Sequence, residues 1–479
     1  MSVGKIFINN RWEDPASRET IPVVDPSTGE VFTHIARGTA PDMDRAVAAA
    51  RGAFEGAWGK MPAFERGRLL QKFSVSIADH HEELAQIEAR DTGKPMKQAR
   101  ADITATARYF EFYAGACDKL HGATIPFLDG YTVMMLREPF GVTGHVIPWN
   151  YPAQMFGRSL GGALAAGNAT VLKPAEDACL SHLRLAELMA EVGFPEGTIN
   201  VVPGFGHEAG AALSGHTGID HISFTGSTET GTRIAQAAAK NHVGCIMELG
   251  GKSPHVVFAD ADLDQALPVI ANSIIQNAGQ TCSAGSRLLV EASRYEEVME
   301  KLGQRLDALR VGSSQQDLDC GPLIRKGQME RVLGFLKRAG DDGLRAAGKG
   351  MISPDAPKGG YYVAPHLLRD VPERHTLAQD EIFGPVMVAM PFKDEADAIR
   401  IANGTLYGLT CGVWTNDGGR QMRTARAIRS GQVFINNYGA GGGIELPFGG
   451  TKHSGHGREK GFEALYGFTT VKTIAIKHG

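Results

Sequence analysis

Cys282 sits in NAGQTCSAGSRLLV (residues 277–290), among glutamine, threonine, serine and glycine. The stretch has none of the apolar periodicity that buries a structural cysteine, so its thiol is expected to stay reachable. A thiolate attacks carbonyl carbon well and leaves well afterwards, which suits covalent catalysis. Cys117, Cys179, Cys245, Cys320 and Cys411 are scattered, form no C-x-x-C pair and read as small core hydrophobes. Other stretches carry groups that such a nucleophile would need, each with a plainer second reading. In IMELGG (246–251), Glu248 follows an apolar run and precedes two glycines. It is either a general base with a raised pKa or a paired structural glutamate. In PWNYP (148–152), two prolines hold Trp149, Asn150 and Tyr151 in a rigid turn. An amide fixed this way can donate to a developing oxyanion, or simply make an Asx-type turn. VLKPAE (171–176) ends a strand with Lys173 and Glu176, which suit ribose hydroxyls or a solvated salt bridge. FTGSTETG (224–231) is neither a G-x-G-x-x-G fingerprint nor a Walker loop. Gly226 and Ser227 still open a helix whose N–H groups suit a phosphate, or Ser227 only caps it. His453 and His456 have metal-like spacing but no further ligand pattern, and no metal is expected.

These residues need a scaffold, and the rest of the chain supplies its outline. At 479 residues, two or three domains are expected. The 43% hydrophobic and 21% charged composition is that of a globular protein, and a net charge of -4 points to neither nucleic acid nor anionic lipid as partner. No apolar run approaches a membrane span, and MSVGKIFINNRW lacks the apolar core of a secretory signal. Widely spaced cysteines suit a reducing cytoplasm. Sixty glycines, nearly twice the usual share of about 7%, imply many tight turns and close backbone approaches. The first hundred residues read as largely helical, from DMDRAVAAARGAFE onward. From Gly141 the rhythm becomes strand, turn, helix, repeated, as in a parallel sheet covered on both faces. A second α/β alternation begins at SPHVVF (253–258). Residues 118–139 and the closing FTTVKTIAIKHG read as extended segments outside both cores, fit to pair with each other or across a subunit interface.

Taken together, PWNYP, GNATVLKPAE, FTGSTETG, MELGGKSP, GQTCSAGSR, EIFGPV and LPFGGTKHSGHGRE resemble, in order, the motifs of the NAD(P)-dependent non-phosphorylating aldehyde dehydrogenases. The resemblance spans essentially the whole chain. It implies Cys282 as nucleophile, Glu248 as general base and Asn150 as oxyanion-hole amide. Lys173, Glu176 and Glu381 would hold ribose, Gly226 and Ser227 the pyrophosphate, and Trp149 and Phe383 the nicotinamide region, with Ile147 and Pro148 on the same wall. Tyr151, Gln154, Met155, Arg158, Thr281, Ser283, Gly442 and Phe448 would line the substrate pocket. The implied α/β architecture is a Rossmann-type cofactor domain (1–117 and 140–250), an α/β catalytic domain (251–453) and a small β extension (118–139 and 454–479) that builds homodimers or homotetramers. The implied reaction oxidises an aldehyde to its acid through a thiohemiacetal and a thioester. NAD is expected over NADP, because the Glu176 carboxylate suits two ribose hydroxyls and repels a 2′-phosphate. A CoA-acylating enzyme and a thiol esterase are the alternatives. The chain departs from many relatives at Arg158–Ser159, where they carry an aromatic and a lysine, and at the run 439–443 (GAGGG), where they carry an aromatic. A widened pocket for a bulky aromatic, long-chain or semialdehyde substrate follows. Arg158 either faces that substrate or pairs with an acidic neighbour.

Overall fold

The computed structural model describes residues 4–479. Four helices, Ala40–Glu55, Ala63–Asp79, His81–Thr92 and Met96–Ala116, account for the apolar spacing of the first hundred residues. They are preceded by strands that the sequence reading lacked: Ile6–Ile8, Arg11–Glu13, and the hairpin Thr20–Asp25 with Glu30–Ala36. The first two, of three residues each, hold too few positions for a period of two to show.

The first sheet has the order Arg11–Glu13, Ile6–Ile8, Ile199–Val201, Ala169–Pro174, Val142–Ile147, His221–Thr225, Gly244–Glu248, Gly455–His456. Its five central strands are parallel. Numbered along the chain, they run 3-2-1-4-5, with helices between. That order reverses between Val142–Ile147 and His221–Thr225, and a ligand crevice is expected beyond the carboxyl ends of strands at such a switch point. PWNYP follows the first of these strands and GSTETG the second. The Gly455–His456 strand closes the edge, antiparallel to Met247–Glu248. A Cβ at Gly455 would sit 1.9 Å from the Met247 carbonyl oxygen, so only glycine allows this pairing. The segment 454–479, expected wholly in the β extension, therefore contributes to two sheets.

A second sheet carries the order Arg345–Lys349, His366–Arg369, Val386–Phe392, Arg287–Glu291, Pro254–Val257, Thr410–Trp414, Gln432–Ile435, parallel except at its first strand. Leu288, Leu289, Val290, Val386, Met387 and Val388 are fully buried there, as both-face coverage requires. The third sheet joins Ala123–Ile125 and Tyr131–Pro139 to Thr469–Lys477. The last two pair antiparallel over their whole length, Thr469 opposite Pro139 through Lys477 opposite Tyr131. The two extended segments thus find each other.

Candidate active site

The loop that carries Cys282 leaves the helix Leu263–Ile275 through an abrupt left-handed turn: φ is 48° at Asn277, 55° at Ala278 and 71° at Gly279. For Ala278, whose Cβ crowds the chain there, this conformation costs roughly 1–2 kcal/mol. Hydrogen bonds hold the turn. The Asn277 amide donates to the Asn150 carbonyl (2.7 Å), and its backbone N–H donates to Gln98 Oε1 (3.0 Å). Ile324 N–H donates to Gln280 Oε1 (2.9 Å), and Asn150 Nδ2 donates to the Gln280 carbonyl (2.9 Å). PWNYP and the Cys282 loop are thereby stitched together. Asn150 is 3% exposed and uses only one of its two amide hydrogens in that bond. Among the described residues, the Cys282 backbone N–H donates to no acceptor. The thiol is partly exposed. Its burying surroundings push its pKa up to about 11; the Arg158 charge pulls down, and Glu248 and Glu381 push up again.

Glu248 ends its strand 2% exposed, and burial drives its pKa well above the usual carboxylate range against the pull of Arg158. Arg158 lies with Nη2 3.3 Å from Glu248 Oε2 and Nε 2.5 Å from Glu459 Oε2, its guanidinium stacked 4.1 Å from the centre of the Phe448 ring. The stack fixes the guanidinium plane, and none of these contacts is aligned as a hydrogen bond. Both Glu248 oxygens are therefore buried acceptors without a protein donor. A buried carboxylate left in this state is a place for a reacting water. Arg158 pairs with acidic neighbours, and its side chain also lines the cavity described below.

Two cavities meet at Cys282. The first, about 620 Å³, opens at the switch point of the first sheet and is lined by Ile147, Pro148, Trp149, Lys173, Glu176, Gly226, Ser227, Glu381 and Phe383, together with Asn150, Glu248 and Cys282. Every residue given to the cofactor from the sequence faces one space. Lys173 Nζ donates to Glu176 Oε2 (2.8 Å). Burial works to raise Glu176, but Lys173 brings its pKa below the usual value. Ser227 caps the helix Thr228–Ala239 by accepting from Thr230 N–H (3.3 Å), and Gly226, Ser227 and Thr230 at that N-terminus line the cavity. Trp149 and Phe383 meet edge to face at 5.5 Å. Phe383 has φ 59°, rare for a bulky residue, and is held there by Gln328 donating to its carbonyl (2.7 Å). Glu381 accepts from Gly251 N–H (2.9 Å), while burial lifts its pKa to about 7. The two glycines of MELGG now have a reason. A Cβ at Gly250 would lie 2.5 Å from Glu381 Oε2, and one at Gly251 would lie 2.3 Å from the Cys282 carbonyl oxygen.

The second cavity, about 310 Å³, is lined by Tyr151, Gln154, Met155, Arg158, Thr281, Ser283, Gly442 and Phe448, all the residues assigned to substrate, and again by Cys282. Tyr151 and Thr281 share a hydroxyl hydrogen bond (2.8 Å), and Tyr438 donates to the Ser283 carbonyl (2.6 Å). Gly439, Gly442 and Gly443 of the 439–443 run face this space; the side chain at position 440 lies outside the described residues. Rings return from places the linear motif does not show: Tyr109, Phe434 and Tyr438 join Tyr151 and Phe448 on the walls. A further cavity of about 790 Å³, lined by Phe32, His34, Arg90 and Ser314 among others, is larger than either but is lined by no cysteine.

Several supporting residues escaped the sequence reading. Lys94, fully buried, pairs with Glu88 (3.3 Å) and Asp102 (2.5 Å) and donates to the Asn150 carbonyl (3.1 Å). Glu88 accepts from Ala153 N–H (3.3 Å) and Ser181 (2.8 Å), and Asp102 accepts from Gln154 (2.6 Å). This cluster braces PWNYP from behind. DTGKP (91–95) was its one local signal, a lysine between a glycine and a proline in a helical region. Glu459 and Lys460 were also missed, in a glycine-rich stretch read for its histidines and as a family motif but not for these two side chains.

The chain matches the Aldehyde dehydrogenase family over residues 12–474. It is 43% identical over 476 residues to the mitochondrial benzaldehyde dehydrogenase of Antirrhinum majus, covering 98% of this chain and 88% of that one. A crystal structure from Burkholderia cenocepacia, assigned to the aldehyde dehydrogenases, is 66% identical with a TM-score of 0.99, covering 99% and 100% of the two chains. The NAD+ complex of an aldehyde dehydrogenase from Bacillus cereus is 40% identical with a TM-score of 0.97, covering 100% and 97%.

Proposed function

The chain belongs to the aldehyde dehydrogenase family, and on that premise we propose roles for its residues and a class of aldehyde for its pocket. The enzyme is an oxidoreductase that turns an aldehyde into a carboxylic acid through a cysteine, with NAD as cofactor. The observation that carries the residue assignment is that Cys282 alone of the cysteines lines both cavities. The larger one fits NAD: a helix N-terminus for the pyrophosphate, Lys173, Glu176 and Glu381 for the ribose hydroxyls, and Trp149 and Phe383 beside the ring. When bound, NAD+ supplies the hydride acceptor.

Cys282 Sγ attacks the aldehyde carbon, and its proton passes to Glu248 as the C–S bond forms. With the thiol near pKa 11, this base is needed at neutral pH. The oxygen becomes an oxyanion, which the second Asn150 amide hydrogen and the Cys282 N–H stabilise. Losing one such donor costs about 3–4 kcal/mol. Loss of hydride from the thiohemiacetal carbon leaves a thioester on Cys282. Once Glu248 has released its first proton to solvent, it takes another from water. That water attacks the thioester carbon, the C–S bond breaks, and acid and free cysteine remain. The donor-free Glu248 oxygens support hydrolysis over acyl transfer to CoA.

The pocket reading is a bulky aromatic or other long aldehyde, supported by five aromatic rings around about 310 Å³ and by the likeness to a benzaldehyde dehydrogenase. A two-carbon aldehyde buries few methylenes, each worth about 0.8 kcal/mol. NADH formation across a panel of aliphatic, aromatic and semialdehyde substrates tests this, with aromatic aldehydes expected to give the highest kcat/KM. Acetaldehyde as best substrate would overturn the reading. CoA is expected to leave the rate unchanged and to yield no thioester product. NADP+ is expected to serve at least tenfold less efficiently than NAD+, because Glu176, held ionised by Lys173, repels a 2′-phosphate. Equal efficiency would sink that preference. Homodimers or homotetramers built on the third sheet, and a reducing cytoplasmic setting for six unpaired cysteines, complete the proposal.

A further inference from the structure

The substrate cavity is lined by two cations in opposite circumstances. Arg158 has Glu459 and Glu248 in contact and Phe448 beneath it. Lys460 has none of that compensation. Among the described residues no carboxylate lies within ion-pair distance of its ammonium, whose one hydrogen bond goes to the Gly442 carbonyl (2.9 Å). The backbone holds it deliberately. Glu459 and Phe448 exchange backbone hydrogen bonds of 2.7 and 2.8 Å, and Lys460 follows at φ 64°, a left-handed conformation that a residue with a side chain seldom takes. That turn aims the side chain back over Phe448, 5.6 Å from its ring centre, into the cavity that Cys282 lines.

We infer that Lys460 is the specificity-determining cation of the substrate cavity, pairing with a carboxylate carried at the end of the aldehyde remote from its carbonyl. This rests on the reading of that cavity as the aldehyde site. A carboxylate that approached Arg158 would compete with two resident carboxylates and be repelled by them. At Lys460 it displaces only a neutral carbonyl and gains a charge-assisted hydrogen bond. The charged groups around Lys460 are Arg158 from the helix Pro152–Ala166, Glu459 beside it, Glu445 from the segment before Phe448, and the Cys282 thiol. Burial, then Arg158, lower its pKa to about 8, while Cys282, Glu445 and Glu459 act the other way. Lysine is therefore cationic below about pH 8 and loses its charge above it. The carboxylate of an aromatic acid stays ionised throughout.

The test compares 4-formylbenzoate with its methyl ester as substrates of the intact enzyme with NAD+. The two probes share the aldehyde and the ring, and their fixed difference in electrophilicity is the same at every pH and in every variant, so the change of their kcat/KM ratio with pH or mutation reads the pocket and not the ionisations of the chemical step. The wild-type ratio is expected to favour the acid by about tenfold or more, the scale of a hydrogen bond to a charged group. It is expected to fall between about pH 7 and pH 9 as Lys460 deprotonates, chiefly through KM. Lys460→Met and Lys460→Gln are expected to lose both the preference and its pH dependence, and Lys460→Arg to keep the preference while flattening the pH profile. A wild-type preference for the ester, a ratio independent of pH, or an unchanged ratio in Lys460→Met overturns the proposal. The wild-type measurements decide even if the variants do not fold. If neither probe is oxidised while other aldehydes are, Lys460 is not reading a distal carboxylate on an aromatic ring. Oxidation of no aldehyde at all strikes instead at the reading of the cavity.

Discussion

At the scale of single residues, the site combines a nucleophile and a base whose pKa values are both raised by burial. The thiol of Cys282 near pKa 11 is protonated at neutral pH, with only about one part in ten thousand as thiolate. Alkylation of the enzyme without cofactor or substrate should therefore accelerate steadily with pH and still be rising at pH 9. A plateau by pH 8, read from iodoacetamide labelling of the Cys282 peptide, would show that the thiol is activated at rest. Glu248 stands opposite, its oxygens without donors. Glu248→Gln keeps the shape but removes the base, so thioester hydrolysis should fall by about 10²–10⁴-fold, the usual worth of a positioned general base. With a thiol that also depends on this base, the burst of NADH should be slowed but still be matched by an acyl adduct accumulating on Cys282. Intact-mass measurement under saturating aldehyde reads the adduct directly, and its absence would argue against the deacylation role.

At the scale of elements, the turn that presents Asn150 is rigid because something buried holds it from behind. Prolines 148 and 152 limit the backbone, but the Asn150 carbonyl is fixed by Lys94 and Asn277, from two distant segments. Lys94 also neutralises Glu88 and Asp102, which in turn hold Ala153 N–H and Gln154 at the start of the next helix. Lys94→Met leaves two carboxylates without their counter-ion in the protein interior, at a cost of about 3–5 kcal/mol. Thermal unfolding should shift down by several degrees, and kcat should drop because Asn150 is no longer held against the oxyanion. A full-activity variant with an unchanged melting curve would mean that the cluster neither braces the turn nor matters to the fold. The left-handed turn at 277–279 serves the same end from the other side, storing strain so that Cys282 faces both cavities.

At the scale of the whole molecule, the third sheet is the part that has no core of its own. Its strand Thr469–Lys477 is exposed over most of its length, with Val471 50% and Ile476 45% exposed, and Phe127 and Leu128 stand out nearby at 64% each. Three strands with apolar side chains turned to solvent are an invitation to a second copy of the chain. Light scattering on the purified protein is expected to give a dimer or tetramer. Val471→Lys with Ile476→Lys should shift it toward monomer, since charges at the centre of such a surface are costly to bury. A monomeric wild-type protein would remove this sheet from the assembly. Deleting residues 469–479 should be more damaging than the charges, because it also takes away the only strand, among the described residues, that pairs with Tyr131–Pro139 besides Ala123–Ile125.

The chain by itself determined which residue types stand where strands give way to helices. Cys282, Glu248, Asn150 and the pair Lys173–Glu176 were legible because turn chemistry, apolar runs and the order of motifs are local properties. The alternation of strand and helix announced two parallel sheets for the same reason. The strands Ile6–Ile8 and Arg11–Glu13 were not legible, since three residues carry no period. Tertiary structure alone decided whose charge is spoken for. Arg158 and Glu459 are 301 positions apart along the chain, and nothing local in either says that they touch, or that Lys460, one residue further, finds only the Gly442 carbonyl and, among the described residues, no carboxylate. It also decided that rings from Tyr109, Phe434 and Tyr438 would refill the wall that a glycine run had opened. Periodicity tells a residue which face of its own element it occupies. Which other surface arrives at that face is settled only by packing the whole chain at once, and with it the burial that sets every pKa in the site.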